Sequence, residues 1–286
     1  MSILVTGALG NVGRYVVESL LEMGENVVAA STNVDKLDAA FGQTGSIRMV
    51  HFDFTEQKTF EAALEGVDRV FLMRPPHLGK PEDLLHFVQA MARANIKLVA
   101  FLSLMGVENN TVPPHHKIEK LIKQFKIPYS FIRPGFFMQN LSGVHALEIK
   151  DQNQIFVPAG KSKTSFIDAK DIGLAVATVL HSPEKYKNTA HTITGPESLD
   201  YYQVATILSD VLRRKITYVK PSYLKYRHEY INRRGLDKDY VNVTVMLYFM
   251  TRMGTAEKVT DEFEKLTGKK QRTFKEFALE NIKVWQ

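Results

Sequence analysis

Three glycines near the start of the chain carry the first chemical suggestion. They lie in Thr6-Gly7-Ala8-Leu9-Gly10-Asn11-Val12-Gly13, spaced Gly-x-x-Gly-x-x-Gly. An apolar run over 3–6 precedes them, and Val12, Val16, Leu20 and Met23 follow at helical spacing up to Gly24. Gly7 permits the turn off a strand, Gly10 lets a diphosphate approach backbone amides, and Gly13 lets the helix lie close on a sheet. Amides at a helix start, helped by the helix dipole, bind anions. The expected ligand is a dinucleotide, held by Gly7, Gly10, Asn11, Val12 and Gly13. The alternative is a glycine-rich turn that serves packing alone.

Further candidates sit where strands are expected to end. Asp53 follows the third apolar run and could accept from an adenine amino group, with Phe54 beside the ring. A turn aspartate is the plainer reading of Asp53. Met73 and Arg74 close the fourth run ahead of Pro75-Pro76, Ser103 closes the fifth, and Pro134 the sixth. Ligands of parallel α/β sheets bind along this carboxyl edge. Past the second run stand Ser31, Thr32, Asn33 and, in the next helix, Lys36. An acid there would bind the ribose diol of NAD, and none is present. Lys36 with the Ser31 and Thr32 hydroxyls could meet a 2′-phosphate, so NADP is expected, with NAD as the alternative. An exposed helix lysine is the plain reading of Lys36.

The elements that must hold these residues alternate. Strands are expected over 3–6, 26–30, 48–52, 69–73, 98–102 and 129–133, with helices between them, including one over 55–64 and one over 118–125. That alternation predicts an α/β fold of the Rossmann type, a doubly wound parallel sheet, followed by a smaller C-terminal α/β lobe. The expected division is a dinucleotide domain over 1–150 and a substrate lobe over 151–286, with parts of 155–195 returning to the sheet. Short strands are expected over 155–156, 165–167, 191–194 and 216–219. A helix over 171–180 would take Asp171 as its N-cap, and Asp200 with Gln203 forms a capping box for a helix over 201–212. Thr273 with Glu276 starts the last one.

Composition narrows the function classes. The 286 residues are 44% hydrophobic and 24% charged, with formal net charge +6 and no cysteine. Disulfides, thiolate metal sites and cysteine nucleophiles are excluded, and a reducing cytoplasm fits. No basic segment precedes Ile3, so no signal peptide is expected. The apolar stretch 241–250 is broken by Asn242 and Thr244 and is too short to span a bilayer. Residues 213–234 hold eight Lys or Arg and one acid, Glu229, without a nucleic-acid motif. His115 and His116 lack a third ligand at metal spacing. The expectation is a soluble cytoplasmic monomer or homodimer acting on a small molecule, with no metal, nucleic acid or membrane.

Several segments together resemble a known family. Residues 6–13, Asp53, Ser103-Leu104-Met105-Gly106, the run from Ile132-Arg133-Pro134 to Asn140, Phe166-Ile167-Asp168 with Asp171-Ile172, and Ile193 to Leu199 are similar to the NmrA-like group of atypical short-chain dehydrogenases. The resemblance implies a dinucleotide cofactor and, in some members, NADPH-dependent reduction of quinones or azo dyes. Other members act as regulators that sense the dinucleotide, and related chains are labelled nucleoside-diphosphate-sugar epimerases. Typical superfamily members use a tyrosine with a lysine four residues later. Residues 108–117 contain no tyrosine. Counting back from Ile127-Pro128-Tyr129 places Thr111 at the tyrosine position and His115 at that of the lysine, with Lys117 out of phase. Epimerisation needs that base and is disfavoured. Hydride transfer without flavin survives, since the nicotinamide performs it. His115 is the candidate proton donor, because histidine titrates near neutrality; a loop or cap histidine is the alternative. Phe136 and Phe137 offer flat surface to a planar acceptor and Asn140 an amide, unless the rings are core and Asn140 a cap. An NAD(P)H-dependent oxidoreductase leads, ahead of a non-catalytic dinucleotide sensor.

Overall fold

Runs such as Leu98–Leu102 place apolar residues in unbroken succession, which suits strands covered on both faces. The computed structural model describes residues 1–45, 47–75, 78 and 80–286. Pro76, expected to help end the fourth strand, lies outside the described residues. Among these, nine strands form in chain order: β1 Ser2–Thr6, β2 Val27–Ser31, β3 Ile47–His51, β4 Val67–Leu72, β5 Leu98–Leu102, β6 Tyr129–Pro134, β7 Gln154–Phe156, β8 Thr189–Ile193 and β9 Thr217–Val219.

The chain divides into two units. The first comprises Met1–Pro134, Ala169–Ile193 and Glu262–Lys269. Its seven strands run β3-β2-β1-β4-β5-β6-β8, every neighbouring pair parallel. This is the doubly wound Rossmann order, extended by β8. Five of its helices matter below: α1 Gly13–Glu22, α2 Val34–Phe41, α3 Leu85–Arg93, α4 Pro114–Gln124 and α5 Ala169–His181. α3 and α4 bury Phe87, Val88, Met91, Ile118 and Ile122 with Phe52, Phe101 and Phe131 in one core cluster. α5 packs on α1 and on β4, β5 and β6.

Local differences from expectation have local causes. Residues 55–64 split into a 3₁₀ turn, Gln57–Thr59, and a short helix, Phe60–Leu64. The Thr59 hydroxyl donates back to the Glu56 carbonyl at 2.7 Å and favours the tighter turn. α4 begins at Pro114, four residues early, because proline is preset for the first helical position. His115 and His116 therefore stand on a helix. α5 begins at Ala169, so Asp171 lies in its first turn, where an acid complements the dipole, and is not the N-cap. The expected strand over 165–167 is reduced to single bridges, Phe137 with Ile167 and Thr164 with Leu199.

The second unit comprises Gly135–Asp168, Thr194–Asp261 and Lys270–Gln286. The division thus falls after Pro134 and not at 150, and it returns 169–193 to the sheet, where β8 pairs with β6. β7 and β9 form a two-stranded parallel sheet. Helix α6, Tyr201–Leu212, opens with the Asp200/Gln203 capping box, and Thr273/Glu276 caps the last α-helix. The core is aromatic. Tyr226 and Tyr230 stack at 4.3 Å, with Tyr201, Tyr248, Phe274, Phe277 and Trp285 in the same cluster. His145 is buried among them, its Nδ1 2.6 Å from the Tyr230 hydroxyl and its Nε2 3.0 Å from that of Tyr248. Burial first, and the Arg234 charge second, push its pKa down to about 3.

Helix α7, Lys238–Arg252, buries only Val241, Tyr248 and Thr251.

Candidate dinucleotide site

In the order β3-β2-β1-β4 the connections leave β1 toward both sides, and the crevice past β1 is where such sheets bind ligands. The glycine loop occupies that position. Thr6 Oγ1 donates to the Phe71 carbonyl at 2.9 Å and accepts from the Met73 amide at 3.1 Å, tying the ends of β1 and β4 together. Gly7 has φ +62°, and its carbonyl accepts from the Gly10 amide at 2.8 Å. A Cβ at Gly13 would stand 2.1 Å from that same carbonyl oxygen, and one at Gly7 would stand 2.9 Å from Met73 Cγ and Sδ. Among the described residues, a Cβ at Gly10 would meet only the Gly7 oxygen, at 3.1 Å. The loop therefore closes on itself and leaves backbone facing outward.

Among the described residues, no side chain caps the start of α1. Val12 occupies the N-cap without a side-chain hydrogen bond, and no acid lies in the first turn. Helix starts ordinarily find a capping acceptor, since four amides lack helical partners. An uncapped start wrapped by glycines fits a diphosphate bridge.

The other strand ends are organised as follows. Ser31 Oγ accepts from the Asn33 amide at 3.1 Å, and Asn33 Oδ1 accepts from the Lys36 amide at 2.9 Å, capping α2. Thr32 and Lys36 are exposed. Asp53 Oδ1 accepts from both the amide and the hydroxyl of Thr55, at 2.8 and 2.7 Å, an Asx turn. Phe54 is buried, with its ring 4.8 Å from that of Phe52 and 5.5 Å from that of Phe87, both edge to face. Arg74 Nη1 donates to the carbonyls of Pro75 and Leu78 at 3.0 and 2.7 Å. Ser103 Oγ donates to Glu119 at 2.7 Å, and the Pro134 carbonyl accepts from Met105 at 3.0 Å.

His115 stands beside Phe101, their ring centroids 6.0 Å apart, and its Nδ1 is buried without a hydrogen-bond partner among the described residues. Burial first, and the Arg74 charge second, push its pKa down to about 3. The imidazole is neutral at pH 7. His116 turns away, its Nδ1 2.9 Å from the Val107 carbonyl.

The sequence pattern of the NmrA-like family matches residues 1–278. The chain belongs to the NmrA-like family. It is 31% identical over 288 residues to the prestalk A differentiation protein A of Dictyostelium discoideum, covering 99% of this chain and 93% of that one. It is 29% identical to an NAD(P)H azoreductase of Xenophilus azovorans, with 96% of each chain covered. Its fold superposes on an NADPH-dependent quinone oxidoreductase of Escherichia coli, solved with NADPH, with TM-score 0.86, 22% identity and coverage of 98% and 99%.

This NmrA-like protein brings Gly7, Gly10, Gly13 and Met73 into direct contact, and sets Arg74 close to His115. Its neutral histidine does not suit the proton-donor role expected of it, because an imidazolium would have to form beside a guanidinium in a desolvated place. Glu119 went unnoticed in the sequence, and Arg133 was read only as part of the family pattern. Glu119 is 5% exposed and accepts from Arg133 Nε and Nη2 at 3.0 and 2.7 Å, and Arg133 also pairs with Glu108 at 3.3 Å. This bidentate pair fixes α4, and hence His115, against the ends of β5 and β6. Its trace in the sequence was an acid set between Ile118 and Ile122 on the apolar side of a helix.

The expected acceptor residues belong to the second unit. Phe136 is half-buried, 6.1 Å from Tyr248. Phe137 bridges to Ile167, and Asn140 lies inside the short helix Gln139–Ser142, so it caps nothing. Asp168 accepts from Gln139 Nε2 at 2.7 Å and pairs with Arg272 at 2.9 Å, holding that connection. Among the described residues, no group of three His, Asp or Glu could hold a metal, and no helix is long and apolar enough to cross a membrane.

Proposed function

We propose that this chain, an NAD(P)H-dependent oxidoreductase, reduces quinone-like or other planar carbonyl and azo acceptors, with NADPH as reductant and without flavin. The observation that carries this reading is the uncapped start of α1, enclosed by three glycines at the crevice beside β1. Amides of Asn11, Val12 and Gly13 hold the diphosphate, Ser31, Thr32 and Lys36 meet the 2′-phosphate, and Asp53, oriented by Thr55, receives the adenine amino group. Met73, Arg74, Ser103 and Pro134 line the remaining edge. A bound nicotinamide supplies the hydride. Arg74 keeps a fixed positive charge beside His115, which serves as a neutral hydrogen-bonding group. Phe136, Phe137 and Asn140 serve the acceptor. Quinone reduction takes one hydride and one proton, and the proton comes from water.

Purified protein is expected to consume NADPH over a panel of quinones. A general acid is worth roughly 10²–10⁴ in rate, so His115→Ala should cost under about threefold if the imidazole is neutral. The kcat profile between about pH 6 and 8 should keep its shape in that variant. A hundredfold loss would restore His115 as the acid. No turnover with any acceptor, despite micromolar NADPH binding, would defeat the reductase reading. It would favour a second one, a dinucleotide-dependent regulator, which the neutral His115 and the missing tyrosine and lysine also suit; equal affinity for NADP⁺ and NADPH would mark it.

The 2′-phosphate assignment has its own check. By calorimetry, Lys36→Ala should weaken NADPH about tenfold, near 1.4 kcal/mol, and leave NADH unchanged. An equal loss for both cofactors would place Lys36 elsewhere.

A further inference from the structure

The basic run over 213–234 divides by partner. Arg214 donates to the carbonyls of Ile149, Lys150 and Trp285, Arg233 pairs with Glu229, and Arg234 pairs with Glu148. Those three hold the fold. Lys220 and Lys225, just past β9, are exposed and pair with no acid among the described residues. The same is true of Lys161 and Lys163, just past β7. Because β7 and β9 run parallel, both loops leave one end of their sheet, the carboxyl end at which parallel strands hold ligands.

A guanidinium is seated at that end. Arg252, in the last turn of α7, lies against Gly160, where a Cβ would stand 3.1 Å from its Nε and 3.5 Å from its Cζ. The Arg252 Cζ is also 5.3 Å from the centre of the Tyr223 ring. A backbone and a ring thus position the cation without neutralising it. Among the described residues, no carboxylate or carbonyl accepts from Arg252. The hydroxyl of Tyr223 is buried and has no hydrogen-bond partner among the described residues. A bare cation and an orphan donor on the ring beside it call for the same partner, an anion.

The neighbouring rings describe the rest of the ligand. Phe249 is 51% exposed, with its ring 6.4 Å from that of Tyr223. Tyr248 stands one turn before Arg252 on the same side of α7, and 6.1 Å from Phe136, the expected acceptor surface. One such turn rises about 6 Å, a span that two fused rings cover.

We propose that Arg252 sets acceptor specificity by pairing with a sulfonate or carboxylate on a planar acceptor, while the Tyr223 hydroxyl donates to the same group. The four unpaired lysines draw such an anion toward the site. Calling the ligand an acceptor rests on the reductase reading; the anion site does not.

The measurement is kcat/KM for 1,4-naphthoquinone-2-sulfonate divided by that for 1,4-naphthoquinone. Arg252→Gln should lower this ratio at least about tenfold, through KM, and Arg252→Lys should recover part of it. Tyr223→Phe should lower it about threefold without loss of urea stability, since an unpaired hydroxyl has been removed. Lys215→Gln, which removes an exposed cation ahead of β9, should leave it alone. An unchanged ratio in Arg252→Gln would overturn the proposal, and so would equal losses for both quinones, which would reduce Arg252 to a cation at a helix end. If neither quinone is reduced, the reductase reading fails and calorimetry with naphthalene-2-sulfonate decides the site by itself. Binding that Arg252→Gln weakens about tenfold would keep the anion site, and binding unaffected by the change, or absent at about 1 mM, would overturn it.

Discussion

Gly13→Ala is expected to abolish micromolar dinucleotide binding and to destabilise the first unit. The added Cβ would lie 2.1 Å from the Gly7 carbonyl oxygen and 2.8 Å from its carbon. Both belong to backbone, so no side-chain rotation can relieve the clash. Either α1 lifts from the sheet or the loop over 7–10 shifts, and either change misdirects the amides that must converge on one anion. Overpacking of a closed site costs about 1–3 kcal/mol, and a backbone neighbour puts this case near the upper end. The affinity loss should reach at least about 100-fold, near 2.7 kcal/mol. Companion variants separate folding from binding. In Gly10→Ala the new methyl meets a single atom at 3.1 Å, so urea unfolding should change little while NADPH affinity falls, because the outward backbone is no longer bare. Gly7→Ala should lose about 1–2 kcal/mol from its left-handed φ of +62°, while the flexible Met73 side chain moves aside. Calorimetry and urea titration of the three proteins would check the ranking. Undiminished NADPH binding by Gly13→Ala would remove the loop from the site.

The protein is also expected to lose stability steeply in mild acid. The His145 pKa is about 3 in the folded chain and near 6.5 when unfolded. Between those values the unfolded chain binds the extra proton, so stability is full above pH 6.5 and falls as pH drops toward 3. For His145 alone the loss between pH 7 and 5 is about 2 kcal/mol. His115 shifts the same way for the same first cause. Carboxylates, with an ordinary value of 4.5 for glutamate, contribute mainly below this window. Urea midpoints at several pH values would measure the slope. His145→Gln should be less stable at pH 7, having lost one of two tyrosine partners, yet its slope between pH 7 and 5 should flatten. An unchanged slope would show that His145 is not the titrating group.

Local demands made part of this protein legible in one dimension. The glycine triplet could be read because a sharp turn, a close approach and a helix laid on a sheet each admit almost no side chain. The parallel sheet could be read because strands covered on both faces need unbroken apolar runs. Asp200 with Gln203, and Thr273 with Glu276, could be read as helix starts because capping is settled within four residues. What the tertiary structure alone decided depends on neighbours distant in the chain. Phe54 went to the core because Phe52 and Phe87 close around it. Glu119 found Arg133 from the next strand, so a charge at an apolar position became a buried tie. His115 became neutral because folding buries it away from water and, second, sets Arg74, forty-one residues earlier, close to it. A protonation state is set by the field and water at one point in space, and the order of residues along the chain specifies that point only after folding.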